Sequence, residues 1–209
     1  MNDYRVVLPR SWRHIPLRAG TEEAVDRLAD EAVEKLPDHV SPDEAAQARI
    51  KARTSMLTEL AEARDNGAID FFLPTEMVGG KVLATSFVVA EAIPDAMAGP
   101  DSVGPAMAAL GADDPSSRPT TIGDVVWLRS DGVQEKVDEE TGHTWLARKV
   151  QYLTAVPSDS RRWFIVTCTS LGDGDPHSDF TDLMIELFDA IMSTWRWLDS
   201  ALSGGTDSG

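Results

Sequence analysis

The stretch HTWLARKVQYLTAVPSDSRRWFIVTCTS, residues 143–170, decides the fold. Its two runs His143–Val156 and Trp163–Ser170 predict strands, and the polar segment Pro157–Arg162 between them predicts a hairpin loop. Ile122–Arg129 precedes them and predicts another strand of the same meander. Because a hairpin joins antiparallel strands, these residues exclude an all-parallel sheet.

Further strands are predicted nearer the start of the chain. Tyr4–Leu8 has a period of two, and Trp12 follows in a short linking segment that covers one end of the core. Ile69–Leu73 and Lys81–Ala90 predict two more strands joined across residues 78–80. The second of these is apolar on both faces, which is typical of a central strand.

The segments between strands carry turn and loop signals. Asp131-Gly132 and Thr141-Gly142 predict turns, and Gln134–Asp138 between them predicts a short strand. Pro94–Pro119 is rich in Pro and Gly and predicts a long irregular stretch with one helical turn near Ala106–Leu110. Loops of this length are usually functional or mobile.

Three segments have the periodicity of helices. Thr21–Leu36 is the first, and Ser41–Asn66 opens with a capping box formed by Ser41 and Glu44. Ser178–Leu198 predicts a long C-terminal amphipathic helix capped by Ser178 or Asp179. The expected apolar stripe of the second helix consists of Ile50, Met56, Leu57, Leu60 and Ala61. The expected stripe of the last helix consists of Phe180, Leu183, Met184, Leu187, Phe188, Ile191, Trp195 and Leu198.

This order of elements predicts an α+β fold. We expect a mostly antiparallel sheet of about six strands packed between helices, as in an α/β/α sandwich. One domain is expected over residues 1–199. The Gly- and Ser-rich residues 200–209 are expected to form a disordered tail.

Composition and charge exclude several classes of function. The 209 residues include 19 Lys and Arg against 35 Asp and Glu, a net charge of −16. A chain this acidic is unsuited to nucleic acid, which needs clustered basic residues. No apolar run reaches membrane-spanning length, no signal peptide is visible, and one Cys cannot form an intrachain disulfide. We therefore expect a soluble, cytoplasmic protein without membrane insertion.

No catalytic or metal-binding motif is complete. Gly79-Gly80-Lys81 lacks the spacing of a phosphate-binding loop, and the four His lack the spacing of zinc ligands. A calcium loop counted from Asp173 would need Glu where Met184 stands. Cys168 is expected in the core rather than as a nucleophile. The sequence therefore predicts no metal, no cofactor and no enzyme activity.

Basic residues concentrate in the strand-forming segments. If the residues of this set lay on one face, they would form a basic surface for an acidic partner. Their scattering over different faces would remove that interpretation. The set consists of Arg5, Arg148, Lys149, Arg161 and Arg162.

The two ends of the chain resemble PsbP-like domains. Tyr4–Trp12 (YRVVLPRSW) resembles their opening, while Val150–Pro157 and Trp163–Ser170 resemble their last two strands. Leu187–Ile191, continued by Trp195–Trp197, resembles the closing helix of actinobacterial, LpqN-like members. Lipoprotein members carry a signal peptide and a lipid-attachment Cys, which are not visible here. The resemblance implies an α/β/α sandwich and a non-enzymatic, protein-binding role, as in Ran-binding Mog proteins.

We therefore expect a cytoplasmic adaptor that binds a protein partner. A variant of this interpretation is an accessory of a bacterial secretion or envelope system. Contacts are expected in the long loop, at Trp12 and on the exposed side of the last helix. The expected contact residues are Trp12, Met97, Val103, Met107 and Trp197.

Three alternatives remain open at the level of sequence. One is a small-molecule binding domain with a pocket between the sheet and the long helix. Another is a hydrolase, which would require folding to bring two carboxylates or a His–Asp pair together in a cleft. The third is self-association.

Overall fold

A computed structural model of the chain describes residues 4–37, 39–78, 81–92, 107, 114–137, 142 and 144–198. The helices are α1 (Thr21–Glu34), α2 (Pro42–Asp65) and α3 (Asp179–Ser193). The strands are β1 (Tyr4–Arg5), β2 (Trp12–Pro16), β3 (Ala68–Pro74), β4 (Met77–Val78), β5 (Lys81–Val82), β6 (Thr85–Ala92), β7 (Arg118–Ile122), β8 (Val125–Val137), β9 (Thr144–Val156), β10 (Asp159–Ser170) and β11 (Arg196–Trp197). Among the described residues, no helix is both long and apolar enough to cross a membrane.

Seven strands form one sheet in the order β2-β3-β6-β10-β9-β8-β7. Every neighbouring pair in it is antiparallel. The predicted α+β class with a mostly antiparallel sheet is therefore confirmed. The sheet has seven strands where about six were predicted. β1 pairs with β11, and β4 with β5, in two short ribbons.

Two helices begin at the predicted caps. The Ser41 hydroxyl accepts the Glu44 amide at 3.3 Å, and the Glu44 carboxylate accepts the Ser41 amide at 2.9 Å. This reciprocal pair satisfies two amides that have no partner within the helix. Ser178 caps α3 by accepting the Thr181 amide at 3.2 Å. The capping signals are local, so the sequence alone was enough to find them.

The last helix is shorter than predicted. α3 ends at Ser193 and not at Leu198. The Thr194 hydroxyl donates to the Ile191 carbonyl at 2.7 Å and accepts the Val7 amide at 2.9 Å. Beyond this point the chain pairs with β1 as β11. Pairing with the N-terminal strand therefore replaces the last helical turn, which periodicity alone did not reveal.

An aromatic core fills the space between the sheet and α3. Trp195 stacks on Tyr4 with ring centroids 4.0 Å apart and meets Trp127 edge to face at 5.3 Å. Phe188 of α3 contacts Phe87 of β6 at 5.6 Å. These rings are almost fully buried. The other buried members of the core are Trp12, Ile69, Phe72, Val89, Ile122, Val150, Tyr152, Val156, Phe164, Val166, Cys168, Ile185, Ile191 and Met192.

A second apolar cluster lies on the opposite face of the sheet. It joins α1 and α2 to strands β2, β3 and β6. The buried members of this cluster are Ile15, Leu17, Ala24, Val25, Leu28, Leu60 and Ala68. Helices therefore pack on both faces of the sheet, but α1 and α2 cover only its β2–β3–β6 side.

Most of α2 lies in solvent, so the predicted apolar stripe is wrong over its first half. Leu60 is its one buried residue, whereas Ile50 is 63% exposed. Over that half, Arg53 pairs with Asp26 of α1 at 2.7 Å. Arg49 likewise pairs with Asp30 at 2.5 Å. Ion pairs replace apolar packing there because α1, and not the sheet, lies beneath it.

Three further predictions, of a turn, a strand and a linking segment, are also wrong. Asp131-Gly132 lies inside β8, because the ten residues of β8 from Leu128 to Val137 pair with β9 without a break. The turn that joins β7 to β8 is Gly123-Asp124, where Gly123 has a φ of 61°. Tyr4–Leu8 is a strand over its first two residues alone. Trp12, expected in a linking segment, begins β2 and pairs with β3.

Other predicted segments are changed or untested. The predicted strand Gln134–Asp138 belongs to β8 as far as Val137, and Lys81–Ala90 is divided into β5 and β6. Most of Pro94–Pro119 lies outside the described residues, and its end belongs to β7 from Arg118. The tail 200–209 lies outside them too, and a single domain over residues 1–199 stays a prediction.

Leu60→Ala should lower the free energy of unfolding by about 2–5 kcal/mol, because it leaves a cavity beneath α2. Ile50→Ala should change it by less than about 0.5 kcal/mol, since that side chain lies in solvent. Urea unfolding of the two variants measures both values. Equal losses would show that both halves of α2 pack on the core.

Candidate functional site

The β8–β9 hairpin extends beyond both neighbouring strands. β7 pairs with β8 between Val125 and Arg129, and β10 pairs with β9 from Arg148 to Val156. Beyond these limits, no described strand lies beside the hairpin. The projecting ribbon, residues 130–137 of β8 and 144–147 of β9, is called the arm below.

The arm exposes apolar side chains on its α3 side. Val133 is 42% exposed, Val137 is 59% exposed and Leu146 is 43% exposed. Leu146 lies opposite Glu135, so Val133 and Val137 are its diagonal neighbours on the same side of the ribbon. Eight large apolar side chains are exposed in the described part of the chain, and these three lie together. We call them the arm patch.

A buried ion-pair network fixes the root of the arm to α3. Arg129, 5% exposed, donates to both carboxylate oxygens of Asp189 at 3.1 and 2.9 Å. Tyr152 donates to the same carboxylate at 2.8 Å. Arg148 donates to Asp131, whose other oxygen lies 3.4 Å from Arg129. Two arginines and two carboxylates therefore balance each other where the arm leaves the sheet.

The pKa values of this network follow from burial and pairing. Burial alone would raise the pKa of Asp131, but the hydrogen bond and charge of Arg148 outweigh it and lower the pKa. Burial and the Asp189 carboxylate both raise the pKa of Tyr152. Asp131 is therefore a carboxylate, and Tyr152 a neutral donor, at neutral pH. The network provides fixed charges and not a proton-transfer group.

A polar groove follows the arm on the side away from α3. It has a volume of about 490 Å³ between the turn that precedes β7 and the first residues of the arm. In that turn, Asp114 accepts hydrogen bonds from Ser116 and Ser117, and the bonds from Ser116 lower the pKa of Asp114 most. The lining residues are Asp114, Ser116, Ser130, Gly132, Val133, Gln134, Glu135, Lys149 and Gln151.

The predicted contact residues do not form one exposed surface. Trp12 is buried, 6% exposed, with its ring 5.5 Å from Phe87. Trp197 is half-buried in β11, not on a helix, and stacks on Trp127 at 6.2 Å. Met107 is helical and half-buried, while residues 97 and 103 (Met97 and Val103) lie outside the described residues. Because the Trp12 ring is buried, it lacks the exposed surface that an interface contact needs. Contacts at the other four residues stay predictions.

The basic residues scatter, which removes the interpretation of a basic sheet surface. Arg148 points toward α3 and pairs with Asp131, whereas its neighbour Lys149 lines the groove on the other side. Arg161 and Arg162 pair with Asp159 and Glu91 respectively. Alternation along a strand separates adjacent basic residues onto opposite faces.

Folding does bring a His–Asp pair together. Asp70 is buried and lies 2.5 Å from Nε2 of His14, and its second oxygen accepts the Tyr4 hydroxyl at 2.6 Å. Burial raises the pKa of Tyr4, and the Asp70 carboxylate adds to the shift. Neither the groove beside the arm nor the notch beside α2 is lined by His14 or Asp70. The pair therefore ties β1 and β2 to β3.

The space between the long helix α2 and the start of α1 is smaller than a typical ligand pocket. A notch of about 200 Å³ lies between α2 and the start of α1, lined by Leu17, Leu57, Leu60 and polar neighbours. Ligand pockets are typically about 300–1,000 Å³. Among the described residues, no group of three His, Cys, Asp or Glu could hold a metal ion.

Comparisons with known proteins leave the family open. No protein-family model matches the chain, and no curated protein matches it. A crystal structure of a Bacteroides thetaiotaomicron protein is similar over 64% of this chain, with 13% identity and a TM-score of 0.39. The chain spans 40% of the length of that protein. A likeness at this level establishes neither a fold family nor a function.

Asp189→Ala should lower the free energy of unfolding by about 3 kcal/mol, because it leaves the buried Arg129 charge without its main partner. Glu186→Ala, on the exposed side of the same helix, should change it by less than about 0.5 kcal/mol. Urea unfolding at neutral pH compares the two. A loss below about 1 kcal/mol at Asp189 would show that Asp131 alone compensates Arg129.

Glu91→Gln should weaken the acid sensitivity of folding. The hydrogen bond from Arg162, helped by Arg18, lowers the pKa of Glu91. Because the pKa of Glu91 is lower in the folded state, its ionised carboxylate stabilises the fold at pH values above its unfolded-state pKa, about 4.5. This stabilisation disappears as the pH falls through the folded-state pKa. Below pH 4.5, the free energy of unfolding should therefore fall less steeply with decreasing pH for this variant than for wild type. Glu135→Gln, an exposed control, should keep the wild-type slope.

Proposed function

We propose that this chain is a non-enzymatic, cytoplasmic adaptor that binds a protein partner through the arm. The observation that carries the proposal is the arm patch, three exposed apolar side chains on a ribbon that extends beyond the sheet. Contiguous exposed apolar surface is costly in water and is typical of interaction sites. The root of the arm is held by buried ion pairs, so the patch is presented at a fixed angle to α3.

The shape and charge of the arm favour a protein over other ligands. The arm patch is exposed to solvent, whereas sites for small molecules typically bury most of the ligand in a cleft or cavity. Its exposed Glu135, together with the net charge of −16, opposes nucleic acid. A protein surface can instead cover the patch and leave the polar rim in water, as interfaces generally do.

The resemblance to PsbP-like domains supports the same proposal. Members of that group act mainly by binding other proteins, and their α/β/α sandwich is compatible with helices on both faces of an antiparallel sheet. Trp197 is half-buried and stacks on the buried Trp127 at the margin of the aromatic core, away from the arm patch. The arm therefore replaces Trp12 and Trp197 as the principal contact surface in this proposal.

The double variant Val137→Gln, Leu146→Gln should reduce capture of the partner from extracts of the native organism by about tenfold or more. It removes apolar contact area without adding charge. The matched control Ile50→Gln, Leu183→Gln replaces two equally exposed apolar residues on α2 and α3 and should capture wild-type amounts. Quantitative mass spectrometry of tagged protein gives the comparison, and melting temperatures verify folding.

Two outcomes would contradict the proposal. One is equal capture by both double variants, which would place the contact elsewhere. The other is that wild type enriches no protein over an untagged extract.

A further inference from the structure

We propose that the occupant of the arm is an extended basic segment of the partner, which adds to the outer edge of β8 as an antiparallel strand. The inference rests on the proposed function in taking the arm as the binding surface, and it names the mode of binding and the chemistry of the partner. Strand addition uses main-chain hydrogen bonds for affinity and alternate side chains for specificity.

The alternating direction of the backbone N–H and C=O groups along β8 shows which of them point away from β9. Gly123-Asp124 is a two-residue turn, so Ile122 and Val125 close the β7–β8 hairpin as a hydrogen-bonded pair. Every second residue of β8 after Val125 therefore directs its N–H and C=O away from β9. No described strand pairs with that side of β8 after Arg129. The outward residues in the arm are Asp131, Val133, Glu135 and Val137.

This edge, which no described strand covers, is long enough for a specific segment. Seven residues from Asp131 to Val137 span about 23 Å at roughly 3.3 Å per residue. Natural proteins usually protect such edges with proline, bulges or a covering element. Within the described residues the pairing of β8 with β9 has no register shift, and β8 contains no proline. The polar groove beside the edge leaves room for the side chains of an added strand.

A second copy of the chain fits this edge poorly. Two identical antiparallel edges pair about a two-fold axis perpendicular to the sheet, which keeps each face continuous. If the two edges pair so that Val133 lies opposite its own copy, Asp131 lies opposite Glu135 at two positions. Like charges directly opposite each other are destabilising. Centring on Gln134 puts Val133 opposite Glu135 instead. Repulsion between two chains of net charge −16 adds to the penalty.

The side chains along the edge specify a complementary pattern. On the α3 side, an added strand meets Val133, Glu135 and Val137 in turn, with Leu146 behind them. Apolar β-branched residues suit the two valines, and Lys or Arg suits Glu135. On the groove side, Gln134 and the lining hydroxyls suit Ser or Thr.

The test uses the full chain and the labelled peptide Lys-Val-Thr-Lys-Thr-Val-Lys, whose symmetric sequence presents the same pattern in both directions. Fluorescence anisotropy should show saturable binding. N-methylation of both valines and the central lysine blocks the edge that faces β8 and should abolish binding. N-methylation of the two threonines, which face away, should leave it within about threefold. The peptide with Glu in place of Lys should bind at least about tenfold more weakly.

Variants of β8 test the same edge from the protein side. Val133→Pro removes an outward N–H without breaking the ladder to β9, and should weaken binding by about tenfold. Val133→Thr keeps that N–H and should stay within about threefold of wild type. Glu135→Lys should reverse the preference between the Lys and Glu peptides. Melting temperatures verify that each variant folds.

Each adverse result is distinct from failure of the adaptor proposal. Absence of saturable binding to wild type, or equal loss with the two N-methylated peptides, would overturn strand addition. If Val137→Gln, Leu146→Gln still lost the captured partner, the arm would bind through its apolar side alone. A wild-type dimer in sedimentation that Val133→Pro dissociates would make a second copy the occupant and would also overturn the proposal.

Discussion

Packing of aromatic rings between the sheet and α3 is the constraint on which the rest of the structure depends. Trp127 and Phe87 from the sheet, Phe188 from α3 and Trp195 beyond its end are all buried in one cluster. Large rings contribute most of the apolar area that a core of this size removes from water. Trp195 lies just beyond the end of α3, and Tyr4 stacks on it. The N-terminal and C-terminal strands pair because the rings beneath them stack.

The arm acquires its character from where this core ends. α3 covers the β8–β9 hairpin as far as Arg129 and Arg148. At that point the packed aromatic rings end, and Asp189 of α3 forms an ion pair with Arg129. Beyond that line, Val133 and Val137 lie on the same strand face and are exposed, and no helix of the described residues covers them. A row of ion pairs therefore separates the part of this strand face that packs in the core from the part that is exposed to solvent. This explains why Trp127 is buried in the core, whereas Val133, which lies on the same face of the same strand, is exposed.

The parts of the fold that could be predicted are those encoded by neighbouring residues. The capping box at Ser41 and Glu44, the cap at Ser178 and the β9–β10 hairpin all depend on short-range signals. Features that depend on distant pairing were missed: Trp12 in β2, the unbroken β8 through Asp131-Gly132, and the early end of α3. The arm patch needed the register of β8 against β9, because the exposure of Val133 depends on where β7 and α3 stop. The sequence contains the alternation but not those limits.

The polar character of α2 has a consequence for how the molecule opens. Its first half rests on α1 through solvent-exposed arginine–carboxylate pairs, which contribute little free energy each. Its backbone hydrogen bonds are nevertheless complete within the helix, so it can separate from α1 without exposing much apolar surface. We therefore expect the first half of α2 to open locally in native-state hydrogen exchange, before the central strands β9 and β10. The second half of α2 and the whole of α1 stay attached to the sheet through their buried apolar side chains.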